Sequence, residues 1–428
     1  MEDPPTSEAE PESWHPLARV GFRLLVPYFF LLAFIPGSAW GSLIPSIGEA
    51  LGLEVLYLPN GSGDTTYNYL EALLELGLSV IVCLLWSLLD RERCAYPRIA
   101  EWTQVLVRYY LASAMCSYGI MKVFLNQFSE PSLFTLLQRY GYASPMGLAW
   151  TFTGFSPAYQ FIAGALELTA GLLLCFRRTT TAGALLMIVV VSNVALLNYC
   201  FDVPVKLWST QLLAGAIGLA ALDARRLLEL FILNRPTEAV ELRPHFENRR
   251  WHIGGRVLKA LVLAFLIVPM AIQSAQSYAV YGPGAPRSPL YGIYEVVEMR
   301  EDGELRPGLI SDDTRWRYLI FDSPERLGVQ LMDDSFERYG LELRREQGAM
   351  TVEIPQGDRY DPFLLDPPDP IEPLEFEWTL VEEGEGALRL AGELEGRAIE
   401  VRAQAIELGG FRLTKRGFNW INEVPFNR

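Results

Sequence analysis

The sequence predicts two fold classes in one chain: an α-helical transmembrane bundle of about seven spans, followed by an extracytoplasmic all-β domain built as a meander barrel or a sandwich. Of the 428 residues, 50% are hydrophobic and only 20% are charged, which is too apolar for one ordinary soluble domain. The long apolar segments end near Gln276, and short alternating segments follow. The net charge of −15 is also uneven, at −2 for Met1–Gln276 and −13 for Ser277–Arg428.

Seven apolar segments approach the length of about 20 residues that crosses a bilayer as a helix. They are Val20–Pro36, Tyr69–Leu89, Val105–Phe124, Pro157–Phe176, Thr181–Leu197, Val205–Leu222 and Val257–Gln276. Buried helices of a large soluble protein are the alternative, but seven segments with so few charges are difficult to bury without lipid. The sequence therefore predicts a transmembrane domain at 19–280 after a cytosolic tail at 1–18. A cleaved signal peptide is not expected, because the acidic N-terminus lacks a basic region.

The distribution of basic residues predicts the orientation of this multi-pass domain in the membrane. Seven arginines lie between the sixth and seventh segments, whereas Gly37–Asn68 contains no Lys or Arg. Positively charged loops remain on the cytosolic side. We therefore expect the N-terminus inside and everything after the seventh segment outside.

The chain after Gln276 has the pattern of a β domain. A Pro- and Gly-rich linker at 281–289 leads into 290–428, where segments such as RWRYLIF, YGLELRR and LEFEWTL alternate apolar and polar residues. About eight such strands in meander order predict a small barrel or sandwich. Asp361–Pro373 is too rich in proline for a central strand, and the chain ends in an aromatic tail.

Several kinds of site are excluded or disfavoured. The three histidines, His15, His245 and His252, all fall on the predicted inner side, so haem and a histidine base at an outer site are not expected. The five cysteines lack zinc-site spacing, and no nucleotide-binding motif is present. Nucleic-acid binding is not expected either, because the sequence has no basic stripe.

Lys122 is the first candidate for chemistry, since the chain has only four lysines and this one ends the third segment on the outer side. Tyr118 precedes it by one helical turn on the same face. Asn126 and Gln127 follow it and offer polar partners. A lysine that merely extends to the membrane interface is the alternative.

A second group of polar residues joins the fifth and sixth segments. Asn198 and Asp202 precede Lys206 in LLNYCFDVPVKLWS, and Lys206 opens the sixth segment at its outer end. Lys206 is again either a site residue or an interfacial lysine.

The loop at Asn126–Ser156 is long enough to require its own structure. Ser129 and Ser144, each near a proline, predict the starts of two short helices, which end at Gly141 and Gly154. The loop would form an ordered lid that carries Arg139 and Trp150. An interfacial anchor rich in aromatic residues has the same pattern.

Glu167 is the ionisable residue that we expect to be most unfavourable within the bilayer. It shares a helix face with Ala163 and Gly171, where small side chains let another helix approach closely. Intramembrane carboxyl groups are commonly functional. The alternative is a structural link to Asn193 or Gln211.

Residues 105–222 resemble the DoxX-like membrane proteins, a four-helix family. The resemblance rests on SYGIMKVFLNQF, GYASPMGLAWTFTGFSPAYQ, GALELTAGLLLCFRRTT and LNYCFDVPVKLWS. Some members are linked to thiosulfate:quinone oxidoreductase. The order of these segments is also distantly similar to the membrane domain of vitamin K-dependent carboxylases, in which a helix-end lysine is the base in quinol oxygenation. Lys122 would match that lysine, with Asn198 as a neighbour, but this chain has no histidine in the outer region.

These observations lead to an expected function and one alternative. The expected function is that of an oxidoreductase-like membrane protein acting on a quinone or another lipophilic molecule at the outer face, with Lys122 as base. A pocket with Tyr118, Trp150 and Phe155 would hold the flat ligand. Asn126, Gln127, Asn198 and Asp202 would orient the base, and Arg139 would contact an anion or a carbonyl. The alternative is a non-catalytic scaffold or cargo receptor whose β domain binds an extracytoplasmic protein partner.

Overall fold

The computed structural model describes residues 13–57, 61–237, 248–344, 347–354, 374–384, 386–394 and 396–426. The chain divides into two compact units, which are described separately below. The first contains Met1–Gln127 and Ala158–Ala275, and the second contains Phe128–Pro157 and Gln276–Arg428. Asp361–Pro373 and His245, for which the sequence made predictions, lie outside the described residues.

The first unit is helical, as predicted. Its helices are α1 (Pro16–Phe34), α2 (Leu43–Ala50), α3 (Thr66–Leu89), α4 (Pro97–Val123), α7 (Pro157–Leu174), α8 (Thr180–Cys200), α9 (Lys206–Ala221), α10 (Ala224–Phe231) and α11 (Arg249–Val280). Among the described residues, five helices are long and apolar enough to cross a membrane: α1, α3, α7, α8 and α11. The number rises to six if α9 and α10, which meet at an angle of 76°, form one broken span. The protein is therefore a multi-pass integral membrane protein.

The helix α4 accounts for the difference from the seven predicted segments. The third segment, Val105–Phe124, is helical in the structure and forms the C-terminal part of α4. This helix is less apolar than its neighbours because Arg98, Glu101, Arg108 and Lys122 lie along it. It nevertheless packs inside the bundle, where Arg108 and Lys122 are buried.

Glycine residues bring α4 and α7 into close contact. A Cβ atom added to Gly119 would lie 2.6 Å from the backbone nitrogen of Leu168, and one added to Gly164 would lie 2.6 Å from the Cβ of Lys122. Gly171 is similarly close to Cys116 and to the backbone of Ala112. These contacts confirm the close approach predicted for the small-residue face around Glu167.

The second unit contains a closed antiparallel β-barrel of eight strands with a short additional strand at its edge. The strands are β1 (Gly292–Glu301), β2 (Glu304–Leu305), β3 (Trp316–Ser323), β4 (Arg326–Leu331), β5 (Phe336–Arg344), β6 (Ala349–Ile354), β7 (Leu374–Gly384), β8 (Ala387–Leu394) and β9 (Arg397–Ala405). The sheet order is β2-β1-β3-β4-β5-β6-β7-β8-β9, and pairing of β1 with β9 closes it. The barrel form of the prediction is thus confirmed, and the sandwich form is not what the chain adopts.

Large side chains fill the interior of the barrel. Trp316 and Trp378 stack with ring centroids 5.7 Å apart, and Phe321 and Met350 are fully buried beside aliphatic residues. A Cβ atom added to Gly392 would lie 2.4 Å from the Trp378 ring, so this position requires glycine. This apolar core stabilises the unit by the burial of hydrophobic surface.

The loop predicted as a lid packs with the barrel in the second unit. Its elements are α5 (Leu133–Leu137), a 3-10 turn at Tyr140–Tyr142 and α6 (Pro145–Gly154). The start of α6 after Ser144 is as predicted, whereas the first helix begins after Ser132 instead of Ser129. Leu133 is 2% exposed in a cluster with Ile293 and Ile320. The ends of the unit include α12 (Arg412–Lys415) and the aromatic tail, in which Trp420 is 90% exposed.

Candidate functional site

A buried ion pair joins α4 to α7 in the helical unit. The Lys122 Nζ lies 2.5 Å from Glu167 Oε1, and the two side chains are 7% and 5% exposed. The second carboxylate oxygen, Glu167 Oε2, is buried and has no hydrogen-bond partner among the described residues. Charges in such surroundings are stable only when they are paired. The two residues that the sequence singled out separately thus form one unit.

The alternative role for Glu167 was a structural link to Asn193 or Gln211. Glu167 does link two helices, but its partner is Lys122. Gln211 donates from Nε2 to the Tyr28 hydroxyl at 3.1 Å, and Asn193 is exposed. Lys122 becomes the partner because Gly119 and Gly164 let α4 and α7 approach closely enough for their side chains to meet. Sequence spacing alone does not reveal this pairing, since the two residues are 45 positions apart.

A cavity of about 650 Å³ lies in the same unit. Its walls combine aromatic rings with polar groups, among them Tyr110, Tyr118, Trp208, Gln211, Glu71, Glu75, Asn68 and Phe34. Tyr118 also contacts the ion pair, because the Lys122 Nζ lies 5.8 Å from the centroid of its ring. Tyr118 is therefore the residue shared by the cavity wall and the Lys122–Glu167 pair.

Two carboxyl groups in the cavity wall were missed by the sequence reasoning. Glu71 and Glu75 lie one turn apart on α3, and Glu75 is only 2% exposed. The Glu75 carboxylate forms no hydrogen bond or ion pair with the described residues, while Glu71 bonds to Asn68. Their signal was present in the sequence, because two glutamates four residues apart within an apolar span satisfy the same criterion that selected Glu167.

Asn126 and Gln127 lie just beyond the end of α4. The Asn126 side chain donates from Nδ2 to the carbonyl of Ser274 in α11, at 2.8 Å. The side-chain oxygens of Asn126 and Gln127 are buried without a hydrogen-bond partner among the described residues. Asn126 therefore connects α4 to α11 rather than hydrogen-bonding to Lys122.

Asn198, Asp202 and Lys206 meet at the connection between α8 and α9. Lys206 Nζ lies 2.8 Å from Asp202 and 3.6 Å from Asp64, a residue that the sequence reasoning did not select. Asp64 also accepts the backbone N–H groups of Lys206 and Leu207 at 2.8 and 2.9 Å, which caps the N-terminus of α9. The Asn198 side chain contacts the carbonyl of Val205 at 3.4 Å. The group has the hydrogen bonding of a helix cap.

Arg139 and Trp150 belong to the second unit. Arg139 forms an ion pair with Asp334 of the barrel, and the Trp150 ring packs edge-on against Phe128 with centroids 5.0 Å apart. Arg317 binds the other oxygen of Asp334 at 2.8 Å. Within the helical unit, Lys122, Glu167 and Tyr118 come together beside the cavity, and Val205 and Leu207, which flank Lys206, also line it.

The described residues contain no group of three or more His, Cys, Asp or Glu side chains arranged to hold a metal ion. The carboxylates of Glu71 and Glu75 in the cavity wall can accept hydrogen bonds. Tyrosine hydroxyls and the Gln211 amide supply donors. This combination suits a ligand that is largely flat and apolar and carries a few oxygen atoms.

Comparison with known proteins identifies a relative of this chain, and that relative has no described activity. The chain is similar to YwoB, an uncharacterized protein of Bacillus subtilis (strain 168), with 34% identity over 126 residues that make up 29% of this chain and 79% of YwoB. No family model and no solved structure matches the chain. Because the similarity covers most of YwoB, the chain belongs to the same family as that protein.

Proposed function

We propose that this protein is an oxidoreductase-like integral membrane protein that binds a quinone or a similar lipophilic molecule in the cavity of its helical unit. The observation that carries the proposal is the position of Tyr118, which lines the cavity and contacts the buried Lys122–Glu167 pair. Buried ionisable pairs within membrane spans commonly mark substrate or proton pathways. The resemblance of 105–222 to DoxX-like proteins supports the same substrate class.

The cavity suits a quinone in size and chemistry. A volume of about 650 Å³ lies within the usual range for small-molecule sites. The rings of Tyr110, Tyr118 and Trp208 offer apolar faces to a flat ring. Quinone carbonyl oxygens accept hydrogen bonds, which the tyrosine hydroxyls and the Gln211 amide can donate.

The ion pair changes the expected role of Lys122. The ammonium of Lys122 is held by Glu167, so the lysine can accept a proton only after it has transferred one to Glu167. That transfer produces a neutral amine and a neutral carboxyl, and the net charge of the pair remains zero. We therefore propose that Lys122 and Glu167 act together as one proton-exchanging unit, with Tyr118 between them and the ligand.

Co-purification tests ligand binding most directly. The intact chain purified from membranes is extracted with organic solvent and examined for quinones by mass spectrometry, and saturable binding of a short-chain ubiquinone analogue and a naphthoquinone is measured. We expect Tyr118→Phe to weaken binding about fivefold, as for the loss of one hydrogen bond of about 1 kcal/mol. Tyr159→Phe, an exposed substitution on α7, serves as the control.

The alternative function is a non-catalytic scaffold or cargo receptor. The barrel interior is filled by its own side chains, so a protein partner would bind the outer surface of the barrel. Absence of quinone binding, together with a partner that co-purifies with the intact chain, would favour this alternative. Both functions include the proposal that the N-terminus is cytosolic and the barrel extracytoplasmic, and cleavage of the barrel by protease added to sealed inside-out vesicles would contradict that orientation.

A further inference from the structure

A cluster of three basic side chains lies between α4, the end of α7 and α11, and none of them lines the cavity. We call Arg108, Arg177 and Lys259 the basic cluster. Arg108 is 4% exposed and interacts electrostatically with both Arg177 and Lys259. The Lys259 Nζ lies 3.8 Å from the centroid of the Phe176 ring. Arg108 and Lys259 thus both contact the segment at the end of α7, Arg108 through the Leu174 carbonyl and Lys259 through the Phe176 ring.

The described residues accept one hydrogen bond from the Arg108 guanidinium. Its Nε donates to the carbonyl of Leu174 at the C-terminus of α7, at 3.0 Å. A guanidinium has five N–H donors, and the other four of Arg108 form no hydrogen bond with the described residues. The helix terminus favours a cation at this place but accounts for only one of those donors.

No described carboxylate neutralises Arg108 or Lys259. Among the described residues, Arg108 donates to the Leu174 carbonyl and Lys259 packs on the Phe176 ring, and neither forms an ion pair with a carboxylate. Asp223, an acidic residue after α9, is already bound to Thr181 and Arg226. A buried Arg108 cation beside the Lys259 cation is unfavourable unless an anion compensates them.

The position of the basic cluster in the chain indicates how deep in the membrane such an anion would lie. Arg108 and Lys259 each lie within three residues of the start of a predicted apolar segment, Val105–Phe124 and Val257–Gln276 respectively. These starts fall at the membrane end predicted to be cytosolic. Polar headgroups occupy this depth, and basic pockets between helices at this level suit acidic headgroups.

We propose that the basic cluster binds the phosphate group of an acidic phospholipid. The guanidinium of Arg108 presents paired N–H groups that match two phosphate oxygens, and the Lys259 ammonium supplies a second positive contact. Phe176 lies beside Lys259 and offers an apolar contact to the lipid. Free inorganic phosphate presents the same oxygen atoms, but it has no acyl chain to contact the exposed Phe176 ring.

Native mass spectrometry of the intact chain in detergent tests the proposal. The chain is titrated separately with phosphatidylglycerol and phosphatidylcholine, and bound lipid is counted. We expect preferential retention of phosphatidylglycerol, and a loss of about fivefold in affinity for Lys259→Gln, the effect of one basic contact near a membrane surface. Arg108→Gln, which retains a donor for Leu174, should weaken retention further. Arg256→Gln, an exposed substitution on the same helix, is the control.

Four results would overturn the proposal. They are equal retention of the two lipids, unchanged retention in Lys259→Gln, a loss in Arg256→Gln equal to that in Lys259→Gln, and displacement of bound phosphatidylglycerol by millimolar inorganic phosphate, which would identify a soluble anion as the ligand. Should Arg108→Gln fail to fold, the comparison of Lys259→Gln with Arg256→Gln still decides, because Lys259 is only partly buried.

Discussion

The helical unit and the barrel bury charge in different ways. In the barrel, Arg315 is 5% exposed, and its guanidinium donates to the backbone carbonyls of Arg306, Trp316 and Val296. In the helical unit, Glu75 lines a cavity and forms no hydrogen bond with the described residues, and Glu167 has one buried oxygen without a partner among them. Buried groups that are bonded to backbone carbonyls help to specify a fold. Buried atoms without a partner among the described residues also occur in the barrel, as at Trp378 Nε1, so the contrast concerns buried carboxylates beside a cavity.

The largest expected effect concerns the ion pair. We expect Lys122→Met to destabilise the chain by about 3–5 kcal/mol, because it leaves the Glu167 charge buried and unpaired. The double variant Lys122→Met/Glu167→Leu should recover most of that loss, since both charges are removed. Reversible unfolding of the intact chain in detergent micelles provides the measurement.

The Lys206–Asp202 pair at the start of α9, in which the Asp202 carboxylate is exposed, is the control for this effect. Asp202 is 85% exposed, so Asp202→Asn should change the free energy of unfolding by less than about 1 kcal/mol. If Lys122→Met were no more harmful than Asp202→Asn, the Lys122–Glu167 pair would not be buried as the structure has it.

The stability of the barrel should be sensitive to added side-chain volume in its core. Gly392→Ala places a methyl group against the Trp378 ring, and overpacking of this kind destabilises by about 1–3 kcal/mol. Gly410→Ala, where an added Cβ meets no atom within 4 Å, is the control and should be nearly neutral. Denaturant unfolding followed by near-UV circular dichroism measures both. Equal stability of the two variants would contradict the tight contact at Gly392.

Asp322 predicts a modest dependence of stability on pH in the second unit. Burial raises the pKa of its carboxyl above the ordinary value of 3.8 despite a hydrogen bond from the backbone of Leu133. The folded state thus retains the proton to a higher pH than the unfolded state, so the free energy of unfolding should fall as pH rises from about 3.8 through the raised folded pKa. Asp322→Asn should remove this pH dependence of the free energy of unfolding. An unchanged pH dependence in the variant would show that Asp322 is not its source.

Asp312 should make the free energy of unfolding change with pH in the direction opposite to that of Asp322. We expect this effect to be the smallest of those predicted. Burial raises the pKa of its carboxyl, but hydrogen bonds from Thr314 and Arg315 outweigh burial and lower it below 3.8. Its stabilisation is therefore present above that pH and is lost as pH falls through the lowered folded pKa. Unfolding of Asp312→Asn between neutral and acidic pH, compared with Asp322→Asn, separates the two contributions.

Local patterns predicted much of the architecture. Runs of apolar residues identified the membrane helices, and alternation with turn residues identified the barrel strands, because both signals depend on near neighbours in the chain. The cap at Ser144 predicted the start of α6 for the same reason. The start of α5 after Ser132 was missed, since Ser129 offered an equally good local signal.

The candidate site was only partly predictable. Residue chemistry selected Lys122, Glu167 and Tyr118, and it should have selected Glu71 and Glu75 by the same criterion. It could not show that Arg139 and Trp150 belong to the barrel unit, where Arg139 binds Asp334. Contacts between residues far apart in sequence depend on how helices and strands pack. They cannot be predicted from the spacing of the residues.

The sequence by itself determined that this protein has a membrane-embedded helical part and a β-rich part, because hydrophobic periodicity is a local property of the chain. Tertiary structure alone decided that Lys122 pairs with Glu167 and that Tyr118 joins this pair to a cavity. The physical reason lies in Gly119 and Gly164, which remove the side-chain volume that would otherwise keep α4 and α7 apart. Their close contact brings two charges together that neither helix could bury alone.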